Sequence, residues 1–485
     1  MSGPRTDDRP NVLFVFPDQH RYDWVGYDGQ VPVRTPTLDA LAAEGVAFRN
    51  AVCPSPLCGP SRACLASGRE YDRCGVRDHA ADYPLGAPTL YGRLRGAGYH
   101  VLGTGKFDLQ KHSGEQGLDG KRDLAANGFT DGINNAGKWD AYGKGADGTP
   151  GDPYTNYLAA EGLLDTHIED FRRRRHEDRG YRAGIDVDAT FPTPLPERAY
   201  CDNYIGRNTV ELLREAPEDS PWFVQVNFAG PHNPWDVTED MHGWYRDPDV
   251  TFPAPTEPDE DLSPADHQDV RRNYAAMVEN IDRWVGTFLE VVDERGEAEE
   301  TIVVYASDHG EMLGDHGSWY KRRPYQASVG VPLVVAGPDV AGRGVVDAPA
   351  TVLDLHATML DYAGLDPTAV DPTMDSRSMR PYLADDPDAG KAPVGNDPRE
   401  VVFAGYGTWR LAFDGQYKLV RGFDAATDPG EADPWDEAAV RDALSEEAPL
   451  LFDHDRDPGE TTDRSGDHPD VVDRLNDAIA RLRTA

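Results

Sequence analysis

Short runs of consecutive apolar residues recur along the first three quarters of the chain, separated by longer segments in which apolar residues recur at helical spacing. A continuous apolar run predicts a strand that is buried on both faces, as in a parallel sheet. Five such strands are predicted, at 11–16, 99–103, 222–228, 301–306 and 331–336. The intervening segments predict helices at 36–44, 89–95, 204–215 and 267–294.

Helices that alternate with apolar strands indicate an α/β fold, with a large, mostly parallel or mixed sheet flanked by helices. The pattern changes after about residue 372. Short antiparallel strands are predicted there, at 401–404, 409–413 and 417–420. We therefore predict a large α/β domain over 1–372, with an insertion at about 108–199 that covers its functional face. A smaller C-terminal α+β domain over 373–485 carries the antiparallel sheet and ends in a helix from about Pro469.

Four of the predicted strands are followed closely by polar residues that can carry chemistry. These residues are Asp18 and Gln19, Lys106, His232, and Asp308 and His309. In open α/β sheets, ligands bind outside the carboxyl ends of the strands. A single Asp after a strand is more often a helix cap than a ligand, but four such motifs together predict a common site.

A fifth motif begins at Cys58, in the sequence CGPSRACLASGR over 58–69. Pro60 suits the first turn of a helix and Gly68 suits its end, so Cys58 is predicted at a helix N-terminus. The backbone N–H groups and the dipole at that position favour a bound anion. In isolation, Cys58 would read as a small buried apolar residue, as do Cys53, Cys64 and Cys74.

The segment 58–69 resembles the sulfatase signature C-x-P-S-R-x-x-x-x-[ST]-G-R, with Ser67 where Thr is commoner. Asp-Gln, CGPSR, GK, PH, SDHG and then Lys321 before VPLVVAGP follow the order of the formylglycine-dependent sulfatases in the alkaline phosphatase superfamily. LFDHDRDPGETTDR resembles the closing segment of that family. The resemblance implies a sulfuric ester hydrolase in which a formylglycine-generating enzyme oxidises Cys58 to formylglycine, the source of the nucleophile.

The resemblance also implies a role for each residue of the site. The implied catalytic residues are Cys58, Arg62, Lys106, His232 and Lys321, with the two lysines binding sulfate. The implied ligands of one divalent metal are Asp18, Gln19, Cys58, Asp308 and His309. Oxygen-rich ligation favours Ca²⁺, and Mg²⁺ is compatible with it. His309, where other members carry Asn, also admits Mn²⁺.

Asp108 departs from the family pattern, because many sulfatases carry His at this position of the G-K-x-H motif. Three possibilities stay open: Asp108 is the base that helps to expel sulfate, it contacts the substrate, or another group does this work. His316 is a further candidate for the pocket. The aromatic and arginine residues of the insertion suit a polar sulfate such as a sulfated carbohydrate, or simply pack: Trp139, Tyr142, Tyr154 and 172–175.

The expected substrate is a small-molecule or saccharide sulfate monoester, including aryl sulfates. One alternative is a phosphodiester or phosphonate monoester hydrolase of the same superfamily, among which an Asp-Gln and Asp-His metal set also occurs. Another is a catalytically silent protein that binds sulfated glycans and retains the Cys58 thiol. A zinc site formed by His309 and His316 lacks the ligand spacing of known zinc motifs.

The composition is strongly acidic, with 86 Asp and Glu against 48 Lys and Arg, only eight of them Lys, and a net charge of −38. Acidic residues spread along the whole chain favour a salt-adapted protein, and the lack of a basic stripe disfavours nucleic-acid binding. No apolar run approaches the length that spans a membrane. The sequence shows no signal peptide, so we expect a cytoplasmic protein with no membrane partner; the pattern does not indicate an oligomeric state.

Salt should stabilise this protein, because it screens the repulsion among the excess carboxylates. Raising KCl from about 0.1 M to about 2 M shortens the Debye length from about 10 Å to below about 3 Å. We expect the midpoint of thermal unfolding to rise, most steeply below about 1 M. Calorimetry in KCl measures this directly, and a midpoint that stays level or falls would refute salt adaptation.

Overall fold

The structure is a computed structural model that describes residues 7–114, 116–175, 186–258, 262–384, 399–426 and 433–484. Eight strands form the main sheet: β1 (Asn11–Val15), β2 (Val46–Val52), β3 (His100–Gly105), β4 (Asp131–Asn134), β5 (Trp222–Asn227), β6 (Thr301–Ala306), β7 (Leu333–Ala336) and β8 (Gly344–Thr351). Four form a second sheet: β9 (Val402–Tyr406), β10 (Trp409–Phe413), β11 (Tyr417–Arg421) and β12 (Leu450–Asp453).

The helices lie between and around these strands. They are α1 (Pro36–Glu44), α2 (Cys58–Ser67), α3 (Leu90–Gly96), α4 (Leu124–Asn127), α5 (Lys138–Gly145), α6 (Pro153–Ala160), α7 (Leu164–Arg173), α8 (Cys201–Glu215), α9 (Glu239–Gly243), α10 (Pro264–Glu294), α11 (Gln326–Val329), α12 (Leu355–Tyr362), α13 (Pro367–Val370), α14 (Arg380–Leu383), α15 (Glu437–Glu446) and α16 (Pro469–Thr484). None of the described helices is both long and apolar enough to cross a membrane.

The main sheet has the order β4-β3-β5-β1-β6-β7-β2-β8 and is mostly parallel, with β7 antiparallel to both of its neighbours. Successive side chains of β1 enter opposite cores: Phe14 packs with α2, α3 and α12 on one side, and Leu13 with α1, α8 and α10 on the other. Burial on both faces explains the continuous apolar runs. The predicted fold class is therefore confirmed.

The four strands that carry the polar motifs are adjacent, in the order β3-β5-β1-β6. They are parallel to one another, so their carboxyl ends meet at one edge of the sheet. This adjacency brings residues that are up to about 300 positions apart in sequence to a single place. The topology therefore supplies the convergence that the strand-end motifs predicted.

The second sheet has the order β12-β11-β10-β9 and is antiparallel throughout. One of its faces packs against α16 through Ala412 and Leu419, and the other adds Trp409 and Leu411 to the core beside α2. The strand β4, which falls inside the predicted insertion at 108–199, pairs with β3 as the edge of the main sheet. We keep the division at residue 372 as a proposal.

Gly105 ends β3 with φ of +96° and lies against the backbone of β5. A Cβ atom at this position would overlap the carbonyl oxygen of Asn227, which also accepts a hydrogen bond from the N–H of Lys106 at 2.9 Å. Only glycine combines this φ with so close an approach. The turn that presents Lys106 at the sheet edge therefore depends on it.

The Gly105→Ala substitution should lower stability by about 3 kcal/mol. Alanine is strained at this positive φ, and its Cβ would overlap the backbone of β5. Gly96→Ala is the matched control, since nothing lies within 4 Å of a Cβ at that helical position. We expect the control to lose no stability. Urea and thermal unfolding of both variants measure the difference, and equal stability of the two would contradict this account of the turn.

Candidate active site

A cavity of about 590 Å³ opens at the carboxyl ends of β3 and β5. Cys58 lines it, together with the lysines and the histidine that the sequence singled out: Lys106, Lys321 and His232. Cys58 is the first residue of α2, and Gly68 ends that helix in a left-handed conformation, as the motif predicted. The Sγ atom thus stands at a helix N-terminus that faces a cavity large enough for more than a sulfate group.

Asp18, Cys58, Asp308 and His309 converge beside the cavity, with their ligand atoms all within 4.8 Å of one another. All four residues are buried, the two carboxylates and the imidazole completely. The Nδ1 atom of His309 lies 3.0 Å from the carbonyl oxygen of Gly310, so the N–H donates there. The lone pair of Nε2 then faces the cluster, 3.2 Å from the Cys58 Sγ.

This donor set fits a divalent cation. Two carboxylates and the unprotonated Nε2 of His309 present only acceptor atoms to the cluster, and burying them together is costly unless positive charge lies among them. Ca²⁺, Mg²⁺ and Mn²⁺ all take carboxylate ligands. The residues predicted as metal ligands are therefore brought together, and the cluster can hold the metal that the sequence implied.

Gln19 completes the cluster from the turn after β1, with φ of +71°. Its backbone N–H donates to Asp308 Oδ1 at 3.0 Å, and its side-chain oxygen accepts from Lys321 Nζ at 2.7 Å. The side-chain amide donates to Glu311. The amide is therefore fixed with its oxygen, the atom that can ligate a metal, on the side of Lys321.

Glu311 was missed by the sequence reasoning. It is fully buried, and besides the Gln19 amide it accepts the backbone N–H groups of Leu313 at 3.0 Å and Tyr320 at 2.6 Å. Burial raises the pKa of Glu311 to about 7. Its carboxylate thus joins the turn after β1 to the loop that carries Lys321. The only signal was its place two residues after His309.

Arg62 lies behind the cluster and does not line the cavity. Its Nε donates to Asp308 Oδ2 at 2.9 Å, and a terminal nitrogen donates to Asn227 Oδ1 at 2.9 Å and to the carbonyl of Lys106 at 2.7 Å. Asp18 lies 3.8 Å from the other terminal nitrogen. Arg62 therefore positions the carboxylates, and Asn227, also missed from the sequence, positions Arg62.

The Cys58 thiol lies among cations, with Lys321 Nζ 3.1 Å and Lys106 Nζ 3.7 Å from Sγ. Burial favours the neutral thiol, but the charges of Lys106 and Lys321 outweigh it and hold the pKa of Cys58 well below its usual range. Lys106 also pairs with Asp18. The predicted sulfate-binding lysines thus flank the predicted nucleophile.

His232 reaches the same group of residues from the segment after β5. Its Nδ1 lies 2.6 Å from the carbonyl oxygen of Asn233, so Nδ1 carries the proton. Burial and the nearby Lys321 lower the pKa of His232 to about 4. The free protein therefore holds a neutral imidazole at neutral pH.

Asp108 bridges two lysines, with Lys106 Nζ 3.2 Å and Lys111 Nζ 3.3 Å from its carboxylate oxygens. Burial opposes its ionisation, but the two lysines hold the pKa of Asp108 below its usual range. It lines a neighbouring cavity of about 380 Å³ and is absent from the lining of the cavity at Cys58. Asp108 therefore contacts Lys106 and Lys111 and does not face the cavity beside Cys58.

The insertion contributes unequally to these cavities. Trp139 lines both, whereas Tyr142 lines only the neighbouring one. Tyr154 is buried in the core, and Arg174 is buried in an ion pair with Asp170. His316 lies outside both cavities, where it contacts Glu257 and the carbonyl of Gly459. The candidate role of His316 in the pocket was therefore wrong.

Comparison with known proteins agrees with this geometry. The family model described as Sulfatase matches residues 10–365, which is most of the chain. The chain belongs to the sulfatase family. Its relatives support a sulfatase enzyme, and the match contains every residue of the candidate site, from Asp18 to Lys321.

Two relatives and one solved structure illustrate the similarity of this sulfatase to known proteins. An arylsulfatase of Clostridium perfringens is 27% identical over 390 residues, which cover 73% of this chain and 75% of the relative. A choline-sulfatase of Rhizobium meliloti is 28% identical over 410 residues, which cover 78% of this chain and 72% of the relative. A phosphonate monoester hydrolase of Agrobacterium radiobacter shares the fold, with a TM-score of 0.74 and 21% identity. The superposition covers 98% of this chain and 96% of the hydrolase.

The Arg62→Lys substitution should weaken binding of a divalent cation about tenfold, because lysine cannot hold Asp308 and Asn227 together with the Lys106 carbonyl. Arg399→Lys is the matched control. Arg399 is also buried and donates two hydrogen bonds to a carboxylate, that of Asp354, but it does not line the cavity.

Both variants should lose stability, and only Arg62→Lys should lose cation affinity. Calorimetric titration with Ca²⁺ and Mn²⁺, alongside thermal unfolding, separates the two effects. Equal cation affinity in the two variants would show that Arg62 does not position the carboxylates.

Proposed function

We propose that this protein hydrolyses sulfate monoesters with a formylglycine, made from Cys58 by a formylglycine-generating enzyme, and one divalent cation. The observation that carries the proposal is the position of Cys58. Its side chain lies at a helix N-terminus, inside the buried cluster of acceptors and 3.1 Å from Lys321 Nζ. A hydrated aldehyde at this position would lie among groups that stabilise negative charge.

Asp18, Gln19, Asp308 and His309 would hold the cation together with residue 58. We propose Ca²⁺, because most of these donors are oxygens, and the imidazole leaves Mn²⁺ and Mg²⁺ compatible. When bound, such a cation supplies Lewis acidity at the nucleophile and offsets charge on the sulfate oxygens.

The side chains of the cavity divide the remaining work. Lys106 and Lys321 flank residue 58 from two sides, so a sulfate group placed there can engage both ammonium groups. Each lysine is a compact point charge with rotatable donors, which suits a tetrahedral anion. Their charge is needed locally, because a protein of net charge −38 repels anions at long range.

His232 lines the same cavity as Cys58, where its imidazole can act on the ester oxygen of the leaving alcohol. Its Nδ1–H donates to Asn233, so the Nε2 position takes up and releases the catalytic proton. A bound sulfate ester places negative charge beside the imidazole and raises its pKa. The histidine can therefore gain a proton in the complex and pass it to the departing oxygen.

Asp108 acts through Lys106 in our proposal. The carboxylate lies between Lys106 and Lys111, and the closest atoms of both pairs are just over 3 Å apart. An aspartate in this place fixes the direction of the Lys106 ammonium group and keeps it charged. Of the three possibilities left open by the sequence, these contacts best match the third, in which another group does the work of the base, and we assign Asp108 a positioning role.

Cys58→Ala should abolish hydrolysis of an aryl sulfate such as 4-nitrophenyl sulfate, by more than about a thousandfold in kcat, because it removes the precursor of the nucleophile. Cys64→Ala is the matched control, since Cys64 is buried in the same helix and does not line the cavity. We expect the control to lose some stability and to keep its activity.

Mass spectrometry of the peptide that contains residue 58 provides the second half of this test. The active protein should show the mass expected when a CH₂SH group becomes CHO. A fully active protein that retains the thiol, or an active Cys58→Ala variant, would refute the proposal. An unmodified, inactive protein that still binds sulfated glycans would favour a silent binding protein.

Asp108→Asn should lower kcat about ten- to a hundredfold, because Lys106 loses the charge that orients it. Asp140→Asn removes the other carboxylate partner of Lys111 and leaves the Lys106–Asp108 pair intact. A smaller loss is expected there. Steady-state kinetics on an aryl sulfate measure both losses. Equal losses in the two variants would show that Asp108 acts through Lys111 and not through Lys106.

Phosphonate monoester or phosphodiester hydrolysis is the second candidate function. The observation that favours it is the pairing of Gln19 with His309 in the cluster, a combination that the superfamily also uses for those esters. Because the nucleophile and the cation are shared, only the substrate distinguishes the two reactions. A kcat/KM higher for an aryl phosphonate monoester than for the matching aryl sulfate would select the second candidate.

A further inference from the structure

The wall of the reaction cavity is cationic in a protein that is otherwise strongly acidic. Six cationic side chains and one carboxylate, Asp140, line the cavity of about 590 Å³. The cations are Lys106, Lys111, Lys138, Lys321, Arg322 and Arg323. This density of positive charge exceeds what one sulfate group requires, since Lys106 and Lys321 already flank residue 58.

Most of these cations are already engaged within the protein. Lys138 pairs with Asp236, and Lys111 with Asp108 and Asp140. Arg323 donates to a backbone carbonyl, that of Ala425. Their charges are partly neutralised and their positions are fixed, so they mainly shape the wall.

Arg322 differs from its neighbours. Within the ranges that the structure describes, its guanidinium makes no hydrogen bond and no ion pair, and it lies over the ring of Tyr406, 5.9 Å from the ring centroid. Arg322 is half-buried in the cavity wall. A cation with no acidic partner among the described residues, in a protein this rich in carboxylates, is available to a ligand.

The backbone that presents Arg322 is held in an unfavourable conformation. Tyr320 and Arg322 have φ of +70° and +79°, on either side of Lys321. The carbonyl of Arg322 accepts a hydrogen bond from the buried Trp409 at 3.1 Å, and the N–H of Tyr320 is held by Glu311. Left-handed non-glycine residues cost free energy and persist where the surroundings enforce them, often at ligand sites.

Lys321 and Arg322 are consecutive, so their Cα atoms are about 3.8 Å apart. Both side chains line the same cavity. A small molecule whose sulfate contacts Lys321 can therefore place a second group against Arg322. The planar guanidinium suits a carboxylate, sulfate or phosphate, which it can bind through two parallel hydrogen bonds.

We propose that the alcohol released by this enzyme carries a second anionic group, which binds Arg322 when the sulfate ester occupies the site. This substrate class, the doubly anionic sulfate ester, rests on the proposed function. The preference belongs to the leaving group, because Lys106 and Lys321 already flank residue 58, where the reacting sulfate binds, and Arg322 lines the same cavity without contacting Cys58. Arg322 is therefore a specificity-determining residue.

The test compares 4-nitrophenyl sulfate with two derivatives that carry a ring carboxylate or a ring sulfonate. We expect the wild-type kcat/KM to favour one or both doubly anionic esters. In Arg322→Ala, the ratio of kcat/KM for the doubly anionic over the singly anionic ester should fall about ten- to a hundredfold, the loss of one or two charge-assisted hydrogen bonds. Arg322→Lys should keep part of the ratio. The two derivatives distinguish a carboxylate from a sulfur oxyanion as the second group.

Arg441→Gln is the control for the loss of one positive charge, because Arg441 is exposed and pairs with Asp442. Its ratio should match the wild type at the same ionic strength. A ratio that Arg322→Ala leaves unchanged, or a wild type that does not prefer either derivative, would overturn the inference. Thermal unfolding of Arg322→Ala checks that the variant is folded.

Binding separates this inference from the proposed function. In Cys58→Ala, which cannot turn over a sulfate ester, calorimetric titration should show tighter binding of the doubly anionic esters. Adding Arg322→Ala should abolish that preference. If the wild type hydrolyses no sulfate ester but this binding preference is present, the proposed function fails and the anion site at Arg322 stands. If the wild type hydrolyses sulfate esters but shows no such binding preference, the proposed function stands and the inference about Arg322 fails.

Discussion

Two buried carboxylates that lie side by side, those of Asp18 and Asp308, are the constraint on which the rest of the site depends. Like charges at this separation in a dry environment repel each other strongly. Arg62 contacts Asp308 and lies close to Asp18, and Lys106 pairs with Asp18. The protein thus builds a cage of opposite charges around one point, where a divalent cation would complete the balance.

The sheet makes this arrangement possible. Asp18 and Asp308 follow β1 and β6, which are neighbouring parallel strands, while Lys106 and Asn227 come from β3 and β5 next to them. Parallel strands end together, so side chains from four strands reach one point without long loops. Gly105 permits the close approach of the end of β3 to β5, and Glu311 ties the resulting edge to the loop of Lys321 and Arg322.

The parts that could be predicted from the sequence are those with a strong local signal. The central strands are continuous apolar runs, and the residues just after them are fixed by the end of the strand. The strands β2, β4 and β8 were missed, because β2 follows α1 directly, β4 has four residues, and β8 is half-exposed and contains Pro349. Glu311 and Asn227 were missed because their roles come from partners distant in sequence, Gln19 and Arg62, which no local pattern indicates.

The central claim is that this cage of charges is a site for one divalent cation. Elemental analysis of the purified protein by mass spectrometry, combined with calorimetric titration of the metal-free form, tests it most directly. The account predicts one equivalent of Ca²⁺, Mn²⁺ or Mg²⁺ per chain, and its loss when Asp308 is replaced by alanine. A protein that carries and binds no divalent cation, or an Asp308→Ala variant that binds it as tightly as the wild type, would contradict the account.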